Sequence, residues 1–367
     1  MVIKRAVIVQ AKRTPIGREN GILQRFGPHE LLAPLLQQAA SMTEYKVDDV
    51  IIGNVVGPGG NVARLSALEA NLPHTIPGLT LDRQCSAGLE AVRMACYLIQ
   101  GEAGKCYIAG GVESTSTSPF QARAQFSPKR IGDPDMGIAA ESVASKYRIT
   151  REMQDEYTLL SYERSVNAYR KGLYEQEILA LEEINQDEEF LKVRPIEKLV
   201  KRARPAFIKE NGTVTAANSS GINDGASALL VMEENTANEQ GLKPVLRFLD
   251  SEVCGVNPWY PGIAPVPSIQ HLIERNKLTI DDLDLIEINE AFAAKIVACA
   301  QQLKIPYRKL NVHGGALTIG HPYGASGAIL LTRLFHEVQR RKKLKYVVAA
   351  IGSGGGIGVA MLFEVVN

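Results

Sequence analysis

The chain has 367 residues, of which 45% are hydrophobic and 22% are charged, and its formal net charge at pH 7 is +1. A chain of this length can bury a large core and can hold two or three subdomains. Its near-neutral charge produces no strong overall field, so we expect neither nucleic acid nor a membrane surface as a partner. No apolar run in the sequence reaches the length of a membrane span.

The cysteines indicate a reduced environment. They are odd in number, they are scattered, and no two form a CxxC pair, so we expect a cytoplasmic protein and not a disulfide scaffold. The sequence has no HExxH motif, no clustered His/Cys pattern and no acidic calcium loop, so we expect no metal. The five cysteines are Cys85, Cys96, Cys106, Cys254 and Cys299.

Short, continuously apolar runs alternate with longer helical patterns, as is typical of strands buried on both faces in an α/β layered protein. The apolar runs predict strands at Ala6–Val9, Asp49–Ile52, Cys106–Ala109, Ala228–Met232, Leu285–Ile288, Tyr346–Ile351 and Gly358–Val365. The amphipathic segments predict helices at Pro28–Met42, Ser86–Gln100, Arg151–Lys171, Ser268–Asn276, Ala291–Leu303 and Gly327–Arg341.

The chain contains an internal repeat. Cys85-Ser-Ala-Gly, a helix and a strand after Lys105 match Gly324-Ala-Ser-Gly, a helix and a strand after Lys345. Two stacked copies of such a unit would form a helix–sheet–helix–sheet–helix core. We therefore predict an N-terminal half at 1–118, completed by about 222–244, and a C-terminal half at 245–367. The charged stretch 119–221 lacks this rhythm and is predicted to be an inserted domain of helices and loops.

Cys85 lies in LDRQCSAGLEAVRMACYLIQ, where an apolar segment ends and a helix begins. Helix N-termini present unpaired N–H groups and the positive end of the macrodipole, which favour a thiolate and lower the thiol pKa. Most lone cysteines are small packing residues, and this is our interpretation of the other four. At Cys85 we predict a nucleophile, because a thiolate can exchange one thioester for another of similar energy.

Two polar residues accompany this cysteine. His321 lies in GHPYGASG, where the glycines let the backbone approach a ligand closely; an isolated loop histidine is otherwise an ordinary packing residue. Asn289 lies in EINEAFAAK at a predicted strand end, where capping the next helix is the ordinary role. The glycine run at 352–358 precedes a strand and not a helix, which argues against a phosphate-binding loop.

These stretches resemble the signature segments of the thiolase family, in the order and approximate spacing of that family. The resemblance covers nearly the whole chain, including AVIVQAKRTPIG, YIAGGVESTSTSP, RPAFIKENGTVTAANSSGINDGA and GIGVAMLFE. It implies a duplicated five-layer α-β-α-β-α fold and an acyltransferase that uses coenzyme A or acyl-CoA as substrate, with no tightly bound cofactor. A homodimer is expected, because the stretch from Pro119 to Met136 is short for a tetramerisation hairpin.

The resemblance also assigns roles to residues. His321 would raise the thiolate fraction of Cys85, Asn289 would hold a water at the enolate oxygen, and the backbone N–H groups of Cys85 and Gly354 would form an oxyanion hole. His313 is expected to be structural. The remaining assignments concern coenzyme A and the acyl group: pantetheine contacts at Ser220, Phe207 and Met136, the adenine and phosphate end at Arg194, and the acyl-tail wall at Phe292.

One departure from the family pattern bears on the reaction. Thiolases carry a second catalytic cysteine near the C-terminus, and alignment on Gly358 puts Gly352 at that position. Ser353 is a poor replacement, because an unassisted hydroxyl has a pKa far above the working pH. Loss of the base would leave acylation of Cys85 feasible and would slow Claisen chemistry, unless another group replaces it.

Three functions remain open. The favoured one is an acetyl-CoA acetyltransferase or 3-ketoacyl-CoA thiolase. The second is a decarboxylating condensing enzyme or an acyltransferase with another acceptor, neither of which needs that base. The third is a catalytically impaired coenzyme A-binding protein.

Overall fold

The structure is a computed structural model that describes residues 4–119, 123–192 and 194–366. Residues 120–122 and 193 of the predicted inserted domain lie outside the described residues. The strands are β1 (Ala6–Arg13), β2 (Gly17–Arg18), β3 (Asp49–Gly53), β4 (Gly78–Leu81), β5 (Cys106–Glu113), β6 (Asn223–Glu233), β7 (Leu246–Gly255), β8 (Leu285–Ile288), β9 (Tyr346–Ser353) and β10 (Ile357–Val365).

The helices accompany these strands on both faces. They are α1 (Pro28–Ser41), α2 (Val62–Glu69), α3 (Ala87–Gln100), α4 (Met136–Tyr147), α5 (Arg151–Arg170), α6 (Ile196–Arg202), α7 (Glu234–Glu239), α8 (Pro265–Arg275), α9 (Ala293–Leu303), α10 (Ala316–Ile319) and α11 (Tyr323–Arg340). No helix in the described ranges is both long enough and apolar enough to cross a membrane.

The two halves repeat one pattern of strand pairing. In the N-terminal half β3 pairs parallel with β5, β5 antiparallel with β6, and β6 antiparallel with β1. In the C-terminal half β8 pairs parallel with β9, β9 antiparallel with β10, and β10 antiparallel with β7. A short β1–β7 contact joins the halves into one sheet path, β4-β3-β5-β6-β1-β7-β10-β9-β8.

The cores define five layers. One buried cluster joins α3 and α11 to both halves of the sheet. A second joins the C-terminal strands to α8 and α9, and a third joins the N-terminal strands to α1 and α2. Successive residues of β9 and β10 alternate between the first two clusters, so these strands are buried on both faces. The predicted five-layer duplicated fold is confirmed.

The central helices touch because both carry glycine at their crossing. A Cβ at Gly88 of α3 would lie 2.5 Å from the carbonyl oxygen of Gly324, and one at Gly327 of α11 would lie 2.4 Å from the backbone nitrogen of Leu89. Real Cβ atoms do not approach backbone atoms so closely, so only glycine permits this packing. The close crossing brings the N-terminal ends of α3 and α11 together.

All seven predicted strands and all six predicted helices are present, with small shifts at their ends. Three strands escaped prediction, and one of them is the two-residue β2. β7 contains Arg247, Asp250 and Glu252 and is partly exposed, so it lacks a continuous apolar run. β4 is a four-residue strand at the end of the sheet with no fully buried residue. The described part of 119–221 contributes helices and turns but no strand of the sheet, and its domain bounds stay a prediction.

Candidate active site

A tight turn presents Cys85 just before α3. The side chain of Asp82 accepts a hydrogen bond from the backbone nitrogen of Gln84 at 2.6 Å. Gln84 adopts the left-handed conformation, with φ of 52°, which is unusual for a residue other than glycine. Such backbone strain is common at functional sites. The turn leaves Cys85 partly accessible, while the next residue, Ser86, is fully buried.

The surroundings of Cys85 correct the expectation of a lowered pKa. Burial raises the pKa of the thiol to about 11, and the charge of Glu113 adds to the increase. Lys295, when protonated, and the backbone N–H groups of Cys85 and Gly354 oppose this increase without cancelling it. Loss of hydration therefore outweighs the helix N-terminus, and the side chain of Cys85 is a thiol at pH 7.

Two backbone donors converge on the sulfur. The N–H groups of Cys85 and Gly354 both interact favourably with the thiolate form. Gly354 lies in the turn between β9 and β10, and a Cβ there would lie 2.7 Å from the ring of Phe126. A strand and not a helix follows the glycine run, as predicted.

His321 is held in one tautomer. Its Nδ1 lies 2.6 Å from the hydroxyl of Ser326, and that hydroxyl donates to the carbonyl oxygen of Pro322 at 3.0 Å. The hydroxyl must therefore accept from Nδ1–H, which leaves Nε2 as the acceptor. Burial, followed by the effect of Lys295 when it is protonated, lowers the pKa of His321 to about 3, so the ring is neutral at pH 7.

The backbone before His321 requires glycine. Gly320 has φ of 104°, and a Cβ at this position would overlap the side chain of Asn223 at 2.2 Å. The side-chain amide oxygen of Asn223 in turn accepts a hydrogen bond from the backbone N–H of His321 at 3.0 Å. The glycine and the asparagine together fix where the imidazole enters the site.

Asn289 contacts His321 and does not cap a helix. Its Nδ2 lies 3.4 Å from Nε2 of His321, and both residues are buried. The ordinary capping role considered from the sequence is wrong, because α9 begins only at Ala293 and its N-cap is Phe292. The chain between β8 and α9 thus directs the Asn289 amide toward the imidazole.

A pocket of about 570 Å³ opens over these groups. It brings together most of the residues predicted to act on a substrate, and Phe207 and Phe292 meet edge to face in it at 6.2 Å between ring centroids. Asn289 is not in the lining and reaches the site through His321. The predicted residues that line the pocket are Cys85, His321, Gly354, Met136, Phe207, Ser220 and Phe292.

Arg194 lies elsewhere. It lines an adjacent pocket of about 450 Å³, and its guanidinium donates to both carboxylate oxygens of Glu189 at 3.0 and 3.1 Å. The two pockets share Ser219, Gly221 and Ile222. Nε2 of His313 lies 2.5 Å from a carboxylate oxygen of Glu337, and His313 does not line the pocket above Cys85.

The position aligned with the second thiolase cysteine is closed by backbone. A Cβ at Gly352 would lie 2.7 Å from the carbonyl oxygen of Pro261 and 2.9 Å from Cδ of Pro265. The neighbouring Ser353 is fully buried, and its hydroxyl is hydrogen-bonded to that of Ser86. Ser353 is thus occupied in joining the end of β9 to the turn before α3.

Sequence reasoning missed Lys295. This lysine of α9 is only 2% exposed, it lines the pocket, and its Nζ donates to the carbonyl oxygen of Gly352 at 3.4 Å. The signal was a single charge in AFAAKIVACA, a segment otherwise made of small and apolar residues. A lysine in such a segment is either exposed or buried for a reason, and the sequence did not show which.

Within the described ranges, one group of side chains could hold a metal ion. Potential ligand atoms of Glu252, Cys254 and His271 lie within 4.8 Å of one another. These residues do not line the pocket, and Arg275 donates to the Glu252 carboxylate. The expectation of a metal-free protein stays a prediction.

Known proteins share this fold. The family model described as "Thiolase, N-terminal domain" matches residues 6–235, and "Thiolase, C-terminal domain" matches residues 242–365. The chain therefore belongs to the thiolase family, and it is an enzyme of the acyltransferase class.

Relatives in sequence and structure extend over the whole chain. "Putative acetyl-CoA C-acetyltransferase YhfS" from Bacillus subtilis (strain 168) is 61% identical over 360 residues, which cover 98% of this chain and 99% of the relative. The crystal structure of the Bacillus anthracis acetyl-CoA acetyltransferase has 37% identity, a TM-score of 0.93 and 99% coverage of both chains. Human mitochondrial 3-ketoacyl-CoA thiolase has 30% identity, a TM-score of 0.91 and 100% coverage of both.

Proposed function

We propose that this protein transfers acyl groups from acyl-CoA thioesters through an acyl-enzyme on Cys85, as an acetyl-CoA C-acetyltransferase or a 3-ketoacyl-CoA thiolase. One observation carries the proposal. Cys85 and His321 line the same pocket, and two backbone N–H groups converge on the sulfur of Cys85. The names of the sequence relatives and structural neighbours support the same reaction class.

Both groups are neutral before reaction, so the proton must leave sulfur as the carbon–sulfur bond forms. Nε2 of His321, which the Asn289 amide also approaches, is the proton acceptor, since Nδ1–H is held by Ser326. As sulfur attacks the thioester carbonyl, negative charge develops on the carbonyl oxygen, and the proposal assigns its stabilisation to the N–H groups of Cys85 and Gly354. The loss of one such donor typically costs about 10²–10³ in rate.

The pocket lining suits the pantetheine arm of coenzyme A. Met136, Phe207 and Phe292 supply apolar contact, and Ser220 supplies a polar group. Sites for small molecules usually combine a mainly apolar wall with a few polar groups. Coenzyme A is proposed here as an exchanging substrate and not as a resident cofactor.

The proposal includes a homodimer in a reducing, cytoplasmic setting. All five cysteines are free in the structure, as that setting requires. Sedimentation of the purified protein would test the oligomeric state.

The activity is tested by cleavage of acetoacetyl-CoA with coenzyme A, measured for the wild type and two cysteine variants. Cys85→Ala should lose at least about 10⁴-fold in rate, because the nucleophile is removed. Cys254→Ser, which changes a partly exposed cysteine outside the pocket, should stay within about twofold. A cleavage rate in Cys85→Ala above a tenth of the wild-type rate would contradict the proposal.

The same assay separates the alternatives. Acylation of Cys85 and turnover of malonyl-CoA without acetoacetyl-CoA cleavage would favour decarboxylating condensation. Coenzyme A binding without any acylation would favour an impaired homologue.

A further inference from the structure

The pocket contains a buried amine that the acyl-transfer step does not use. Lys295 projects from α9, lines the pocket together with Cys85, and has its Nζ 3.4 Å from the carbonyl oxygen of Gly352 at the end of β9. Its stem passes Gly262, where a Cβ would lie 3.2 Å from Cβ of Lys295. The side chain is therefore confined between α9, the turn at 261–263 and the end of β9.

We propose that Lys295 is the catalytic acid and base that moves the C2 proton of the acyl-CoA substrate when the carbon–carbon bond forms or breaks. This inference rests on the proposed function, because it requires a Cys85 acyl-enzyme as the reaction partner. It assigns to an amine on α9 the proton transfer for which neither Gly352 nor Ser353 has a suitable group.

Elimination within the pocket leads to this residue. Its lining contains six titratable side chains among the described residues: Cys85, Arg123, Asp135, Lys295, His321 and Tyr323. Cys85 is the nucleophile, and His321 serves the sulfur. Arg123 stays protonated and forms an ion pair with Asp135, whose side chain is 74% exposed.

Tyr323 and Lys295 remain. Burial raises the pKa of Tyr323, followed by effects of Cys85 and Glu113, so the phenol keeps its proton. Lys295 has the opposite property. Its burial lowers the pKa of the amine, and in the described ranges the groups that raise it are Cys299 and Cys85, both thiols at rest.

The important feature of Lys295 is that no carboxylate in the described ranges pairs with its amine. A buried ammonium is unfavourable without an anion, so burial favours the neutral amine. A neutral amine in a closed pocket can accept a proton from carbon, and the ammonium that results can return it. Enzymes use desolvated lysines as general bases for this reason.

The step balances in both directions. In condensation, the Lys295 amine takes a proton from C2 of acetyl-CoA, and the C–H electron pair becomes the enolate. The enolate carbon then bonds to the carbonyl carbon of acyl-Cys85, and the carbon–sulfur pair returns to sulfur. In cleavage, the Cys85 thiol passes its proton to His321 as sulfur bonds to the ketone carbon, and the bond between C2 and C3 breaks. C2 takes a proton from the Lys295 ammonium, which the amine forms beforehand with a proton from solvent.

The test separates the proton step from acylation. Lys295→Met replaces the amine with an apolar chain of similar length, Lys295→Arg keeps the charge but cannot act as a base, and Lys243→Met removes an exposed lysine as a control. In Lys295→Met, acetylation of Cys85 should stay within about threefold, while acetoacetyl-CoA cleavage should fall by about 10²–10⁴-fold. Lys295→Arg should lose cleavage similarly, and Lys243→Met should resemble the wild type.

A second readout does not depend on the nucleophile. Acetyl-CoA is incubated in D₂O, and deuterium in its methyl group is measured by mass spectrometry. Cys85→Ala should keep this exchange because it keeps Lys295, and Cys85→Ala/Lys295→Met should lose it. This comparison remains informative if one single variant folds poorly.

Each contrary result has a defined meaning. Equal losses of acylation and cleavage in Lys295→Met would show that the lysine acts on the sulfur, which overturns the proposal. Full cleavage by Lys295→Met or by Lys295→Arg would overturn it as well, and so would a wild type that acylates Cys85 but neither cleaves acetoacetyl-CoA nor exchanges methyl protons. Failure of the wild type to acylate Cys85 would instead refute the proposed function.

Discussion

The two halves of the molecule repeat one unit and use it differently. In the N-terminal unit, Cys85 lies just before the central helix α3, and strand β5 ends at the buried side chain of Glu113. In the C-terminal unit the chain before α11 carries His321, and strand β9 ends in glycine and serine. The duplication therefore places a sulfur and an imidazole at neighbouring helix ends, and each half supplies one member of the pair.

The strand ends differ even more. The Glu113 carboxylate accepts backbone N–H groups of Gly324, Val56 and Val55 at 3.0 to 3.2 Å, which ties the halves together. At the end of β9 there is no carboxylate, and the Lys295 amine reaches the backbone there instead. At equivalent positions, one strand end thus joins the two halves through the Glu113 side chain, and the other faces the amine of Lys295.

The largest expected effect concerns the imidazole that the C-terminal unit supplies. His321→Ala should slow acylation of Cys85 by about 10²–10⁴-fold, because it removes the proton acceptor. His313→Ala, which removes a side-chain contact with Glu337 outside the pocket, should change the rate by less than about threefold. Acylation rates from rapid-quench mass spectrometry would check both. Equal losses of acylation rate in His321→Ala and His313→Ala would mean that the effect of His321 is structural.

The next prediction concerns the sulfur that the N-terminal unit supplies. Since the folded thiol has a pKa of about 11, its thiolate fraction should rise about tenfold for each pH unit below that value. Alkylation of Cys85 by iodoacetamide should therefore increase about hundredfold from pH 7 to pH 9. Free cysteine, with a pKa of about 8.5, should level off in the same range. A plateau for Cys85 below pH 8 would indicate a preformed thiolate.

The smallest effect concerns the end of β9. Gly352→Ala should lower the free energy of unfolding by about 1–3 kcal/mol, because its Cβ would meet the backbone of Pro261. Gly255→Ala is the matched control, since a Cβ there has no neighbour within 4 Å, and it should change stability by less than about 0.5 kcal/mol. Urea unfolding measures both. Equal unfolding free energies of Gly352→Ala and Gly255→Ala would show that position 352 has room for a Cβ.

Sequence reasoning succeeded where a local pattern determines the outcome. Continuous apolar runs predicted strands buried on both faces, and the glycines around His321 predicted a tight approach to the site. The pattern failed at β7, whose charged residues lie on a strand that is only partly buried. Arg194 was assigned from resemblance, and no local pattern indicated its ion pair with Glu189; its contact with coenzyme A stays a prediction.

The remaining features depend on contacts between distant segments. The N–H groups before α3 favour a lower pKa at Cys85, but burial among later segments raises it. The orientation of Lys295 depends on which face of α9 meets the end of β9, and a helix buried all round gives no periodic signal for that face. Asn289 likewise contacts the His321 imidazole and does not cap α9, because α9 begins later than the sequence pattern predicted.

The central claim, that the two units meet to place an acyl group on one sulfur, is tested by mass spectrometry of the intact protein and its peptides after brief exposure to acetyl-CoA. The account predicts one acetyl group for each chain, on Cys85, removed again by added coenzyme A and absent from Cys85→Ala. An unmodified Cys85 in a protein that binds acetyl-CoA, or an acetyl group carried by another residue, would contradict it.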